Sequence, residues 1–137
     1  MKRRLLIFLT LLLSIVFLFS GCSWNFFKES SSVSDASVYY IQDGSTVLIE
    51  AKVSVPEGLK EKAMAEFLVD QLLNPPAGCI SPLCDGAKLM SVKIEDEIAK
   101  VNFTKEFTNL KDPKYTLSAP ALAKTLCSLD FISGVNI

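Results

Sequence analysis

The sequence predicts an α+β fold in which two amphipathic helices cover one face of a small mixed or antiparallel sheet. Three observations predict it. Short runs rich in β-forming residues occur near residue 38 and again near residues 90 and 99. Two later segments have helical periodicity, and each has an apolar stripe. Because such a stripe must be buried, each helix requires a sheet as its partner.

The first 21 residues predict a signal peptide. Three basic residues stand at the start, positions 5–19 are almost entirely apolar, and the small residues Ser20 and Gly21 precede Cys22. This order is typical of secretory signals, and the cysteine resembles the lipidated first residue of mature bacterial lipoproteins. An uncleaved membrane anchor is the alternative, although the apolar run is short for a span of about 20 residues. Lipid on Cys22 would hold the protein at the extracytoplasmic face of the membrane.

Composition restricts the function of the remaining chain. Removal of residues 1–21 leaves 116 residues, the size of one small domain, and lowers the formal charge from −1 to −4. A mildly acidic domain lacks the basic surface that nucleic acids require. The chain has no histidine, so the commonest general base and metal ligand is missing. Without a glycine-rich phosphate loop or a paired nucleophile and base, we expect no enzyme and no cofactor.

The first part of the mature chain predicts a tether and two strands. Residues 22–37 are rich in serine and form the predicted flexible tether. The β-rich run 38–41 is closed by a turn signal at Asp43 and Gly44. Residues 46–55 are again β-rich and predict a second strand or an extended arm.

A helix and a cysteine-containing loop follow. Apolar residues recur at helical spacing over 59–73, and the Asn-Pro-Pro that follows ends the helix. Residues 77–87 are predicted to be loop. Cys79 and Cys84 flank four residues there and could form a disulfide outside the cytoplasm, or remain two free thiols. Two cysteines without histidine do not make a tetrahedral metal site.

The middle of the chain predicts a β-hairpin with one apolar face. Apolar and polar residues alternate over 90–95 and again over 99–103. The polar turn between them includes Asp96 and Glu97, and its carboxylates are expected to be solvated rather than catalytic.

The last segment predicts a second helix and a short strand. Ser118 is the predicted N-cap, and Pro120 is tolerated in a first helical turn. Leu122, Leu126 and Leu129 form an apolar stripe that we expect Ala119, Ala123 and Cys127 to extend. After a turn at Gly134, residues 135–137 should begin a strand in the same sheet as 98–103, with Val135 and Ile137 on one face. Mean strands are longer, so the chain could be a fragment.

Several of these blocks together resemble the GerMN domain of sporulation and spore germination proteins. Residues 38–44 resemble its first strand, 63–75 its first helix, 99–107 its central strand and 125–137 its closing helix-to-strand block. Asn74, Asn102 and Thr104 replace the glycine, aspartate and serine that are usual at those positions. The segment that contains both cysteines also departs from the family pattern.

This resemblance implies a non-enzymatic role for residues 38–137. The GerMN domain is similar in architecture to ring-building domains, which self-associate or dock in envelope assemblies. It therefore implies a membrane-anchored scaffold or adaptor in sporulation or germination, with other envelope proteins as partners. A lipoprotein that binds peptidoglycan or a small solute is the alternative. A deep pocket with aromatic walls would favour a ligand, whereas exposed apolar residues would favour a protein partner.

Overall fold

The computed structural model describes residues 35–109, 111 and 113–137. The predicted signal peptide, Cys22 and the tether up to residue 34 lie outside the described residues. The elements, in chain order, are β1 (Asp35–Gln42), β2 (Leu48–Ser54), α1 (Glu61–Leu73), β3 (Cys79–Ile80), β4 (Leu89–Glu95), β5 (Ile98–Phe103), a 3₁₀ helix (Lys105–Asn109), α2 (Lys114–Leu126) and β6 (Gly134–Asn136). Within the described part of the chain, neither α-helix has the length and apolar character that a membrane span requires.

The predicted α+β class is confirmed, but the strands form two sheets rather than one. In the first sheet β1 lies between β2 and β3, and both pairings are antiparallel. In the second sheet β5 lies between β4, which is antiparallel to it, and β6, which is parallel. Helix α1 contacts β4 and β1, helix α2 contacts β1 and β6, and the helices contact each other. The two helices thus join the two sheets.

Strand β1 begins earlier than predicted and is buried along most of its length. Ser37, which the sequence places in the tether, lies in this strand and is buried. The strand pairs with β2 on one edge and with β3 at Ile41 and Gln42 on the other. The remainder of that second edge lies beside α2. There the N–H of Ser37 donates to the hydroxyl of Ser128, and the N–H of Tyr39 donates to the hydroxyl of Thr125.

One hydrophobic core connects all of these layers. Its fully buried members come from β1, α1, both strands of the hairpin and α2. Leu83 is also fully buried in it, although it belongs to the segment predicted to be loop. Large side chains with almost no exposure include Tyr40, Ile41, Leu68, Leu72, Leu83, Leu122 and Leu126.

The predicted hairpin is confirmed and has a two-residue turn. Asp96 and Glu97 both adopt positive φ angles, of 52° and 62°, as the central residues of a type I′ turn do. The carbonyl of Glu97 then accepts hydrogen bonds from the N–H groups of Ser133 and Gly134. This contact places β6 at the start of β5.

Strand β6 pairs with β5 as predicted, from Gly134 opposite Ile98 to Asn136 opposite Lys100. A β-carbon at Gly134 would lie 2.8 Å from Ile98 Cδ1, so a larger residue there would require the end of the Ile98 side chain to move. Val135 is half-buried against the core, whereas Ile137 remains exposed. Of the two side chains expected on one face of the strand, only Val135 therefore packs against the core.

The predicted start and apolar face of α2 are wrong in part. The helix begins at Lys114, so Ser118 is a buried residue within it rather than its N-cap. Pro120 was expected in the first turn of the helix, where proline is preferred. In the structure it lies inside the helix. The buried stripe passes through Ala121 and Thr125 instead of Ala119 and Cys127, and Cys127 is exposed. The face is rotated because α2 covers the edge of β1 with hydroxyl groups.

Candidate binding cleft

An open cleft of about 1000 Å³ lies at the end of the first sheet. Its walls come from four parts of the chain: the end of β1 and the turn after it, the short strand β3, the segment that follows β3, and the approach to α2. The lining residues are Ile41, Gly44, Ser45, Thr46, Ile80, Cys84, Asp85, Asn109, Lys111, Pro113 and Lys114. Ile41 and Ile80 are directly opposite each other across the β1–β3 pairing.

The turn between β1 and β2 forms one wall, and main-chain hydrogen bonds hold it in place. The N–H of Gln42 donates to the carbonyl of Val47, and the N–H of Ser45 donates to the carbonyl of Gln42. Gly44 has a φ of 71°, a conformation that glycine adopts without strain. The turn is also held to the residue just before β3, since the N–H of Asp43 donates to the carbonyl of Gly78.

An ion pair joins two other walls of the cleft. Lys114 Nζ lies 2.7 Å from Asp85 Oδ1. The lysine side chain is only 18% exposed, whereas the aspartate side chain is 94% exposed. Because the carboxylate is fully solvated, this pair contributes little to stability. Its main effect is to fix the start of α2 against the segment that contains Cys84.

The lining of this cleft combines apolar, small polar and charged side chains. None of its described residues is aromatic, and no histidine exists anywhere in the chain. Among residues 35–109, 111 and 113–137 there is no group of three or more acidic or cysteine side chains that could hold a metal ion. Lysine ammonium groups, small polar side chains and an isoleucine floor can bind a ligand or peptide through contacts and charge.

The two candidate disulfide residues lie at different places in this region. Cys79 is in β3, opposite Gln42, and Cys84 lines the cleft; both are half-buried and unbonded in this structure. The Cys84 thiol donates to the carbonyl of Asp85, with 3.6 Å between the two atoms. A disulfide between Cys79 and Cys84 remains a prediction, as does lipid on Cys22, which is outside the described residues.

Away from the cleft, the side chains of Ser37, Glu50 and Lys52 form a polar cluster on the outer face of the first sheet. Ser37 Oγ donates to Glu50 Oε1 at 2.6 Å, and Lys52 Nζ lies 2.8 Å from the same carboxylate oxygen. Lys52 also donates to Ser37 Oγ. The hydrogen bond from Lys52, and then that from Ser37, lowers the pKa of Glu50, while the bond to Glu50 raises the pKa of Lys52. These charges are fully solvated, so they indicate alignment of the side chains rather than stored stability.

Sequence reasoning did not find the cleft. The sequence pattern gives no sign that Lys111 belongs to a site, and nothing in it connects Asp85 with Lys114, which is 29 residues later. No motif includes these positions. Their proximity depends on the buried Leu83 and on the position of α2, so only the folded chain brings them together.

The fold defines a small α+β domain with an open cleft at the end of its first sheet. A family model described as Germane, sporulation and spore germination, matches residues 37–137. The chain therefore belongs to the Germane family, which confirms the GerMN resemblance. Among curated proteins, no match was found.

Solved structures of the same fold support this assignment. The first GerMN domain of the sporulation protein GerM from Bacillus subtilis is similar with a TM-score of 0.60 and 19% identity, over 74% of this chain and 78% of that chain. The tandem GerMN domains of the same protein give the same score and identity, with 37% of that longer chain covered. A candidate lipoprotein from Clostridium perfringens has a TM-score of 0.51 and 24% identity, over 75% of this chain and 72% of that chain.

Proposed function

We propose that the protein is a lipoprotein, anchored to the extracytoplasmic face of the membrane through Cys22, that acts as a non-enzymatic scaffold or adaptor in sporulation or spore germination. The observation that carries the proposal is the family match over residues 37–137, which is nearly the whole mature domain. The leader before Cys22 supports the anchor, and one similar structure is that of a candidate lipoprotein.

The cleft supports a protein segment as the partner. It is wide and open, its floor is apolar, and its described lining has no aromatic side chain of the kind that stacks on sugars. Two exposed apolar side chains, Val47 and Tyr115, directly follow residues of its walls in the chain. Apolar residues around an open groove are typical of sites for protein partners.

The proposal is tested by deleting the gene and restoring it in two forms. We expect the deletion to lower the yield of heat-resistant spores or to slow their germination. The wild-type gene should restore normal spore yield and germination, whereas the Cys22→Ala gene should not. Only the wild-type protein should incorporate a fatty acid probe. Normal spores and normal germination in the deletion strain would contradict the scaffold role. Equal labelling of the two proteins would contradict the anchor.

A lipoprotein that binds peptidoglycan or a small solute is the second candidate, because a cleft of about 1000 Å³ is large enough for such a ligand. Titration of the purified protein with soluble peptidoglycan fragments distinguishes the two. Saturable binding that Lys114→Ala weakens would favour the ligand. Binding to a sporulation protein without binding to fragments would favour the scaffold.

A further inference from the structure

Strand β2 has an edge that no described residue covers. It pairs with β1 on one side, in a continuous register from Asp35 opposite Ser54 to Ile41 opposite Leu48. The N–H of Gln42 points to Val47, so even-numbered residues of β1 direct their main-chain groups toward β2. Their partners on β2 are odd-numbered. The N–H and C=O groups of its even-numbered residues therefore point outward: Leu48, Glu50, Lys52 and Ser54.

The other strand edges in the described part of the chain are covered, interrupted or short, and β3 has only two residues. The second edge of β1 is covered by β3 and by the hydroxyls of Thr125 and Ser128. Strand β4 has an irregularity in its register between Leu89 and Ser91, and β6 has only three residues. Bulges and short strands are common ways to prevent edge-to-edge pairing. By contrast, β2 has seven residues, no proline and no bulge.

We propose that β2 pairs with β2 of a second copy of this chain, antiparallel, around a two-fold axis at Ala51. In this register Glu50 lies opposite Lys52 of the partner subunit, and Lys52 lies opposite Glu50 of the partner subunit. The outward main-chain groups of these residues face each other and can form ladder hydrogen bonds. The two copies of Ala51 form the close, non-hydrogen-bonded pair on the axis, where a small side chain fits best.

Several antiparallel registers would allow hydrogen bonds between the two β2 strands, and the charges of β2 favour the one with its axis at Ala51. Moving the axis to residue 50 would place two glutamates opposite each other, and moving it to residue 52 would place two lysines opposite each other. Like charges directly opposite destabilise a strand pair, whereas opposite charges stabilise it. The axis at Ala51 is the position that gives two attractive pairs. Within one chain Glu50 and Lys52 are already 2.8 Å apart, so both side chains are held on the exposed face.

The inner face of β2 supplies apolar contacts for the same register. Ile49, Ala51 and Val53 are half-buried and pack against the core. Around the proposed axis, Ile49 lies opposite Val53 of the partner subunit. β-branched side chains pack well against their neighbours on a pleated sheet, so the apolar layer would continue from one copy to the next. The interface uses a surface other than the cleft, and it does not depend on any role in sporulation.

A cross-linking experiment in the full chain tests the register. We introduce Ala51→Cys into a chain that also has Cys127→Ser, because Cys127 is an exposed thiol. Residues in a close antiparallel pair have Cα atoms about 4.5 Å apart, within reach of a disulfide. Ser54→Cys is the matched control, since two copies of residue 54 would be about 20 Å apart in this register. We expect disulfide-linked dimers with Cys at position 51 and none at position 54 or in the Cys127→Ser background.

Charge reversal then tests the chemistry. In the Ala51→Cys chain, Glu50→Lys or Lys52→Glu should each lower the cross-linked fraction by about tenfold. Co-expression of the two reversed chains should restore it, because every opposing pair is again attractive. A melting temperature for each variant checks that it folds.

Three results would overturn the proposal: equal cross-linking at positions 51 and 54, no effect of either reversal, or cross-links from position 51 only to a different protein. Restored cross-linking in the mixture supports it even if one reversed chain is less stable. These outcomes are independent of any spore phenotype, so failure here leaves the scaffold proposal to its own test.

Discussion

Tyr40 connects the first sheet to the first helix through one hydrogen bond. Its side chain is 1% exposed, and its hydroxyl donates to the carbonyl of Gln71 at 3.1 Å. Burial, and to a lesser degree the neighbouring Cys79 thiol, raises the pKa of this hydroxyl above 10.0. A buried phenol in this position must remain protonated to donate its hydrogen bond.

The first prediction concerns Tyr40→Phe. At neutral pH we expect the free energy of unfolding to fall by about 1 kcal/mol, because one hydrogen bond is lost and the ring is kept. Urea denaturation measures this loss. Tyr115→Phe is the control, since Tyr115 is exposed and its change should be near zero.

The same variant has a pH dependence with a definite sign. Since the folded pKa of Tyr40 is raised, its contribution is fully present below the unfolded pKa of 10.0 and is lost as pH rises through the folded value. The difference in stability between wild type and Tyr40→Phe should therefore shrink above pH 10. A constant difference between pH 8 and pH 11 would contradict the raised pKa.

At the scale of the element, α2 acts as a cover for a strand edge. Thr125 is completely buried and its hydroxyl accepts the N–H of Tyr39 at 3.0 Å. Ser128 accepts the N–H of Ser37 at 3.1 Å and donates to the carbonyl of Ser37 at 3.2 Å. Buried main-chain groups need such partners. Two hydroxyls, one in α2 (Thr125) and one just after its end (Ser128), thus replace part of the neighbouring strand that β1 lacks.

The second prediction is that Thr125→Val destabilises the domain by about 1–3 kcal/mol. Valine has the same shape, but it leaves the buried N–H of Tyr39 without a partner. Thr116→Val is the matched control, because Thr116 is exposed and its hydroxyl donates to the carbonyl of Pro113, the residue just before its own helix. The two free energies of unfolding are compared by urea denaturation. Equal effects would show that the edge contact has no special importance.

The sequence predicted the individual helices and strands better than it predicted which of them lie next to each other. Both helices, the hairpin and the last strand were predicted because their periodicity is local. The start of α2 was missed because the rule for proline favours the first turn, whereas Pro120 is tolerated inside this helix. Cys127 was placed on the buried face because apolar residues were expected there. A buried Thr125 shifts that face, and only the position of β1 explains it.

At the scale of the whole molecule, the division into two sheets depends on long-range contacts. The alternation of apolar residues gives strands, but it does not specify that the first half of one β1 edge lies beside a helix instead of another strand. The segment 77–87 was predicted to be loop from its composition, yet it contains β3 and the buried Leu83. Because the cleft forms from this segment and from the residues before α2, the sequence did not predict it either. The GerMN resemblance specified the family correctly without specifying the cleft.

The buried part of that segment leads to the last prediction. Leu83 is fully buried in the same core as both helices and both sheets, and its N–H donates to Ser81 Oγ at 3.1 Å. Leu83→Ala should lower the free energy of unfolding by about 2–5 kcal/mol, because it removes buried methyl groups and leaves a cavity. Urea denaturation measures the loss.

The control for this prediction is Met90→Ala, because Met90 is an apolar residue with a 68% exposed side chain. Its truncation should change stability by less than about 0.5 kcal/mol. If Leu83→Ala cost as little as Met90→Ala, residues 77–87 would be the surface loop that composition predicts. A large loss for Leu83 alone would instead mean that the segment is part of the core. The walls of the cleft would then rest on the same packing that holds the two sheets together.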